Sequence, residues 1–252
     1  MASVTHPEPA FWFARPNLPV LEIVVLLGYC IVIIDMEHGA ITQEACDALV
    51  AQGRVLGLTV IVRLAEARRI LVQQALDYGA VSVMLPMIRD AAHAAEASGF
   101  AKYPPQGTRG VGLGHAFTYG NYHSVDEDLH RSANTNTRCH VMIEMASALD
   151  DIDAIAALAS VDGRFIGPSD LSLARGRGAF RFTAEDEADF RRVAKACRRH
   201  NKLVGLPAAN PGAFALAQAD GLAYVTLLDD LTALHAGLAH GLATLCQRER
   251  QA

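Results

Sequence analysis

The 252-residue chain holds only five cysteines, Cys30, Cys46, Cys139, Cys197 and Cys246, and no C-x-x-C pair. An odd, scattered set argues against a disulfide framework and against a thiolate zinc centre. Long apolar runs are missing too. The longest uncharged stretch near the start, Ile23 to Ile34, lies between Glu22 and Asp35 and is broken by Gly28. A bilayer span needs about 20 residues, so no membrane partner is expected. No basic segment precedes an apolar run in Met1 to Pro9. No secretory signal is read there, and a cytoplasmic location is expected. Charged residues make up only 19%, with a net charge of −5. A dedicated nucleic-acid binder carries a basic stripe. The one dense basic group, Arg191-Arg192 to Arg198-Arg199, has helical spacing, so no nucleic-acid partner is expected. Nothing matches G-x-G-x-x-G after a first strand. Gly110-Val111-Gly112-Leu113-Gly114 follows a Pro-Pro loop and reads as a backbone turn. Ser169 and Ser172 lack the G-x-S-x-G context of a serine hydrolase.

What is present is apolar residue, at 51%, enough for a large core. Short apolar runs recur at Phe11–Phe13, Ile31–Ile34, Leu58–Val62, Val81–Leu85, Val141–Ile143, Arg164–Ile166, Leu203–Leu206 and Leu222–Leu227. They do not alternate with polar residues, which fits strands buried on both faces. Helical patterns separate them: Thr42–Gln52, Ala67–Tyr78, Ala91–Ser98, Ser147–Ala159, Thr183–His200, Asn210–Gln218 and Leu228–Leu245. Thr42, Ser147 and Thr183 are N-cap candidates, and Pro211 suits a first helical position. Seven or eight buried strands alternating with helices predict an α/β fold, a (β/α)₈ barrel forming one domain over residues 1–252. A doubly wound open sheet is the alternative. Phe100 to Asn136 is the least regular stretch, which in a compact domain marks a functional segment.

In a barrel, catalytic groups sit at the C-terminal strand ends. The predicted strands end in Asp35-Met36-Glu37-His38-Gly39, in Arg63, in Pro86, in Glu144 and in Gly167-Pro168-Ser169-Asp170. Glu144 and Asp170, completed by waters, suit a hard divalent cation such as Mg²⁺ or Mn²⁺; equally, both suit the starts of following helices. Asp35 stands three residues before His38. A carboxylate on one imidazole nitrogen leaves the other as a base, although a loop histidine beside a capping acid has the same spacing. Arg63 either pairs with Asp35 or Glu37 or contacts an oxyanion. A divalent metal, a guanidinium and a histidine base suit proton or carbon–carbon chemistry beside a carbonyl. No lysine ends a strand, which disfavours a Schiff base: Lys102 precedes Pro104 in a loop, and Lys202 precedes its strand. His115, His123 and His140 fall in or near the irregular segment, with His115 a candidate for the barrel mouth. His235 and His240 fall on the last helix.

These strings together resemble one family. They are Ile34-Asp35-Met36-Glu37-His38-Gly39, Val62-Arg63, Leu76-Asp77-Tyr78-Gly79-Ala80, Tyr103-Pro104-Pro105-Gln106-Gly107-Thr108-Arg109-Gly110, Ile143-Glu144 and Val161 to Ser172. The chain, from about Leu21 to Leu234, resembles the HpcH/HpaI aldolases, metal-dependent class II pyruvate aldolases. The resemblance implies a (β/α)₈ barrel whose last helix packs on a neighbouring subunit, commonly in a homo-hexamer. It implies Glu144 and Asp170 as ligands of a divalent ion (Mg, Mn or Co). A keto acid would meet Gly167, Pro168 and the backbone N–H groups at Ser169 and Asp170. Arg63 would stabilise the enolate oxygen, and His38, oriented by Asp35, would move protons. Arg109 would belong to the rim and to subunit packing. The implied partners are a keto acid and an aldehyde.

Three departures stand out. Met142 replaces the family's usual Gln, exchanging an amide for a thioether that donates nothing. The first strand reads Phe11-Trp12-Phe13 where G-x-W is usual, and Leu64-Ala65-Glu66-Ala67 lacks the usual Pro or Trp. Two further readings stay open: a same-fold lyase or decarboxylase, and a catalytically weakened keto-acid-binding protein.

Overall fold

The computed structural model describes residues 6–112 and 127–246. Eight parallel strands close into a barrel in chain order: β1 (Glu8–Phe13), β2 (Ile31–Asp35), β3 (Thr59–Arg63), β4 (Ser82–Leu85), β5 (Arg138–Ile143), β6 (Gly163–Ile166), β7 (Leu203–Pro207) and β8 (Tyr224–Asp229). This is the expected (β/α)₈ barrel, with no open-sheet edge. The helices are α1 (Leu18–Leu26), α2 (Gln43–Val55), α3 (Arg69–Asp77), α4 (Ala91–Gly99), α5 (Glu127–Asn136), α6 (Ala146–Asp150), α7 (Ile152–Ala157), α8 (Pro168–Ala174), α9 (Ala184–Arg199), α10 (Pro211–Ala219) and α11 (Asp230–Cys246).

Caps explain several boundaries. Thr42 accepts from the Ala45 amide. Thr183 and Asp186 form a reciprocal capping box at the head of α9. Asn210 caps α10, whose first position is Pro211. The expected Ser147 cap does not form; Met145 precedes α6 without a side-chain bond, and the expected single helix breaks at Asp151. Asp151 turns its carboxylate outward to accept from the Ala91 amide.

Both faces of the strands are apolar, and the two cores are separate. One lies between strands and helices; the other fills the barrel and comprises Ala10, Ile31, Ile33, Ile61, Met84, Met142, Phe165 and Tyr224. The register places every second residue inside. Reading upward, β2 contributes Ile31, Ile33 and Asp35, and β3 contributes Thr59, Ile61 and Arg63, paired Ile33 to Ile61 and Asp35 to Arg63. On β5, His140 and Met142 point inward, and Glu144 follows two residues on. The polar ends of these columns build the site.

Candidate active site

Asp35, His38, Arg63, Glu144, Gly167, Pro168, Ser169 and Asp170 all border one cavity of about 380 Å³ at the C-terminal mouth. The residues expected from strand ends and from the resemblance are thus brought together. Trp12, Met142, Phe165, Pro207, Leu227 and Leu228 supply much of its apolar wall.

Arg63 is buried and held on two sides. Its Nε and Nη2 donate to the two oxygens of Asp35, at 2.9 and 2.5 Å. Its Nη1 lies 3.0 Å from Glu37 Oε2. The guanidinium also stacks over Trp12, 4.8 Å from the ring centroid. The reading of Arg63 as paired with Asp35 and Glu37 holds, and the residue also borders the cavity. Five N–H groups serve three acidic contacts, which leaves donors for a substrate oxygen.

Of the two readings of Asp35 and His38, the geometry gives the loop histidine beside a capping acid, and the side-chain contact implied by the resemblance does not form. Asp35 Oδ1 accepts the backbone N–H of Glu37 (2.9 Å) and His38 (3.0 Å). Asp35 Oδ2 accepts the Trp12 indole N–H at 3.1 Å. With Arg63 added, both oxygens are occupied and none reaches the imidazole. Asp35 positions the loop that carries His38, not its tautomer. Burial alone would raise the Asp35 carboxyl; Arg63, the His38 amide and Trp12 outweigh it and hold the group below the usual range. Burial raises Glu37, against the opposing pull of Arg63 and His38.

Glu144 is 2% exposed. Oε1 accepts the Met87 amide at 2.5 Å. Met87 adopts φ 52, left-handed backbone that a non-glycine residue enters at a cost. The strain aims one N–H at the carboxylate. The other oxygen lies against Gly167, where a Cβ would stand 2.6 Å from it. Burial, then the negative charges of Glu37 and Asp170, push Glu144 up to about 7, with the Met87 amide opposing them. Asp170 falls in the first turn of α8, after Pro168, a helix not foreseen from the sequence.

A divalent cation fits this donor set. Glu144 is a buried carboxylate with one hydrogen bond and acidic neighbours, so charge compensation is what it lacks. Among the described residues no three His, Cys, Asp or Glu side chains form a group that could hold a metal by themselves. Two carboxylates with room for waters suit hard, oxygen-seeking ions.

Other candidates lie elsewhere. Lys102 is buried with its Nζ 2.8 Å from Asp162 and bonded to the Thr137 carbonyl. It is a structural cation. Arg109 pairs with Asp77 at 3.1 Å and does not border the cavity. His140 sits at the opposite end of β5. His115 and His123 lie outside the described residues. Sequence reasoning missed the inward role of Trp12, although its parity with Ala10 on β1 carries that information. The Met87 amide has no sequence signal, because a backbone turn creates it.

Acids, an arginine and a histidine thus share one rim of the barrel, and comparison with known proteins fixes the family as one of carbon–carbon lyases. The HpcH/HpaI aldolase/citrate lyase model matches residues 10–215, and the chain belongs to that family. A 4-hydroxy-2-oxovalerate aldolase of Novosphingobium aromaticivorans is 36% identical over 179 residues, 69% of this chain and 66% of that one. A 5-keto-4-deoxy-D-glucarate aldolase of Klebsiella pneumoniae is 30% identical, over 77% of this chain and 75% of its own. The crystal structure of an HpcH/HpaI aldolase from Desulfitobacterium hafniense superposes with a TM-score of 0.86 at 28% identity, covering 96% of this chain and 94% of the other. Among the described residues no helix is long and apolar enough to cross a membrane.

Proposed function

We propose that the chain is a divalent-metal-dependent aldolase that cleaves a 4-hydroxy-2-oxo acid to pyruvate and an aldehyde, and runs the reverse addition. The observation that carries this reading is the meeting of Glu144, Asp170, Arg63 and His38 around one cavity. The ion, held by Glu144 and Asp170, supplies Lewis acidity toward the keto acid. Arg63 offers its remaining N–H groups to the oxygen that gains charge, in a site already oriented by Asp35 and Glu37. The N–H groups of Ser169 and Asp170 open α8 without intrahelical partners, and so can bind the keto acid's carboxylate. His38 is exposed at the cavity and carries protons to and from the reacting carbon and hydroxyl.

The test is proton NMR of pyruvate in D₂O. Loss of the methyl signal with Mg²⁺ or Mn²⁺, abolished by EDTA, supports the reading. Retention of that signal by metal-loaded protein sinks it and favours a keto-acid-binding protein, with Met142 as the altered neighbour.

The acceptor should be short and uncharged. Among the described residues lining the cavity, Arg63 is the only Lys or Arg, and Asp35 and Glu37 hold it. Leu227, Leu228, Pro207, Thr226 and the acidic Asp229 line the mouth beside it. The 4-hydroxy-2-oxovalerate of the named relative would yield a two-carbon uncharged aldehyde. We expect acetaldehyde to exceed glyoxylate by about tenfold or more in kcat/KM for pyruvate addition; equal values count against this acceptor.

Metal affinity should depend on pH. Because Glu144 holds a proton up to about 7, ion binding must displace it below that point. Calorimetry with Mn²⁺ should show affinity falling about tenfold per pH unit below 7, and flattening above.

The same family reading includes assembly. On α11, Leu231, Leu234, Leu238 and Leu242 stand exposed at helical spacing. This unpartnered stripe suits packing on a neighbouring copy in a homo-oligomer, a hexamer on the family pattern. Leu238→Glu should lower the mass seen by sedimentation; an unchanged mass places the interface elsewhere.

A further inference from the structure

We propose that the N-terminal mouth of the barrel is a second binding site, for a small oxyanion of carboxylate or phosphate type. A cavity of about 380 Å³ opens there, and it shares no lining residue with the active-site cavity. Barrel interiors of this kind are ordinarily filled by bulky apolar side chains. Here Ile31 and Ile61 share the lining with three residues bearing polar groups: Ser82 on β4, His140 on β5 and Tyr224 on β8.

Two glycines make room for it. A Cβ on Gly163 would stand 2.3 Å from the His140 ring, and one on Gly205 would stand 2.2 Å from Tyr224. The Tyr224 hydroxyl meets His140 Nδ1 at 3.1 Å, and the two rings stack with centroids 5.7 Å apart. Burial keeps the Tyr224 phenol protonated. Burial, with the charges of Arg138, Arg164 and Lys102, keeps the imidazole neutral, down to about 3. The arrangement that satisfies both groups has the phenol donating to Nδ1. Nε2 then carries the proton and is a donor.

Among the described residues, Nε2 of His140 and Oγ of Ser82 have no hydrogen-bond partner, and both residues are at most 2% exposed. Buried polar groups are ordinarily satisfied, so two of them bordering one cavity point to something they bind. Arg138 borders the same cavity, with Arg164 and the Lys102–Asp162 pair behind it; among the described residues Glu8 is the one acid lining it. The cavity therefore offers O–H, N–H and guanidinium donors. An oxyanion is the complement of that set.

The experiment uses the full chain in EDTA, which removes ions from the active site. Histidines are labelled with ¹⁵N, and the His140 ring signal is assigned through His140→Gln. Inorganic phosphate and acetate are added separately at constant ionic strength. We expect a saturable shift of the His140 signal with at least one of them. Ser82→Ala should weaken that binding about fivefold, one neutral hydrogen bond. Arg138→Gln should weaken it further, and Ser82→Ala should leave metal-dependent pyruvate exchange unchanged. Saturation by phosphate alone identifies a phosphate site, and saturation by acetate alone a carboxylate site. If neither anion moves the signal, or if the shift is the same in both variants, the cavity holds water only and the proposal falls. Pyruvate exchange is read separately, so failure here leaves the aldolase reading standing.

Discussion

Glu144→Gln should reduce metal-dependent proton exchange of pyruvate on the order of a thousandfold or more while leaving the barrel folded. The amide keeps the volume and can still accept the Met87 N–H, now 2.5 Å from Oε1. It loses the charge that a divalent ion needs. Lewis-acid stabilisation is worth several kcal/mol, and each 1.36 kcal/mol is about tenfold in rate. The stability effect has the opposite sign. Burial holds the Glu144 carboxyl up to about 7, above its ordinary value of 4.5. The folded protein without metal therefore binds a proton that the unfolded chain releases. That contribution is full below about 4.5 and is lost as pH rises through about 7. Glutamine has no charge to bury. In EDTA at pH 8 the variant should melt at or above the parent, and the gap should close by pH 5. Retained exchange would remove Glu144 from the metal site. A collapsed melting curve at pH 8 would make it a structural carboxylate instead.

The barrel was legible because its strands are short, apolar and separated by helical patterns. All eight expected runs overlap observed strands, from Phe11–Phe13 in β1 to Leu222–Leu227 in β8. Their period of two was hidden, because both faces are apolar: Ile33 fills the barrel while Ile34 packs outward under the helices. That parity is what sends Asp35, Arg63 and Glu144 to the same mouth. Helix α1 was missed because Glu22 is the one charged residue in Leu18 to Leu26, too little of a polar face to mark a period. Part of that helix stays exposed, Leu26 above all. Helix α8 was missed because Gly167-Pro168-Ser169 reads as a turn, while Pro168 serves as an early helical residue. The Asp35 carboxylate is the subtler case. Spacing of three to His38 left open a side-chain pair or a loop histidine beside a capping acid; the second is observed, because Arg63 and two backbone amides take the oxygens. A guanidinium fork competes better for a buried carboxylate than a solvent-facing imidazole does.

The same fork makes Arg63 the residue whose loss is felt twice. Arg63→Leu fills comparable space but strands Asp35, which is 3% exposed, without its counter-charge. Breaking one side of a buried ion pair costs about 3–5 kcal/mol. For a chain of this size that is a fall in Tm of roughly 6–20 °C. Proton exchange should fall about a hundredfold or more, since a preorganised donor to the developing oxyanion goes as well. Arg63→Lys separates the two effects. An ammonium keeps the charge beside Asp35 and Glu37 and should recover part of the Tm. It cannot reproduce the two-pronged contact at 2.9 and 2.5 Å, so exchange should stay low. Acid supplies the control. Arg63 is what holds the Asp35 carboxyl below its ordinary range against burial. Its stabilising contribution is present above the ordinary value of 3.8 and fades as pH falls through the lowered one. In Arg63→Leu both acids are free to take up protons, and burial already raises Glu37. The Tm gap between parent and variant should therefore be widest near pH 8 and narrow toward pH 4. A gap independent of pH would mean that packing against Trp12, rather than charge, is what Arg63 contributes to the fold.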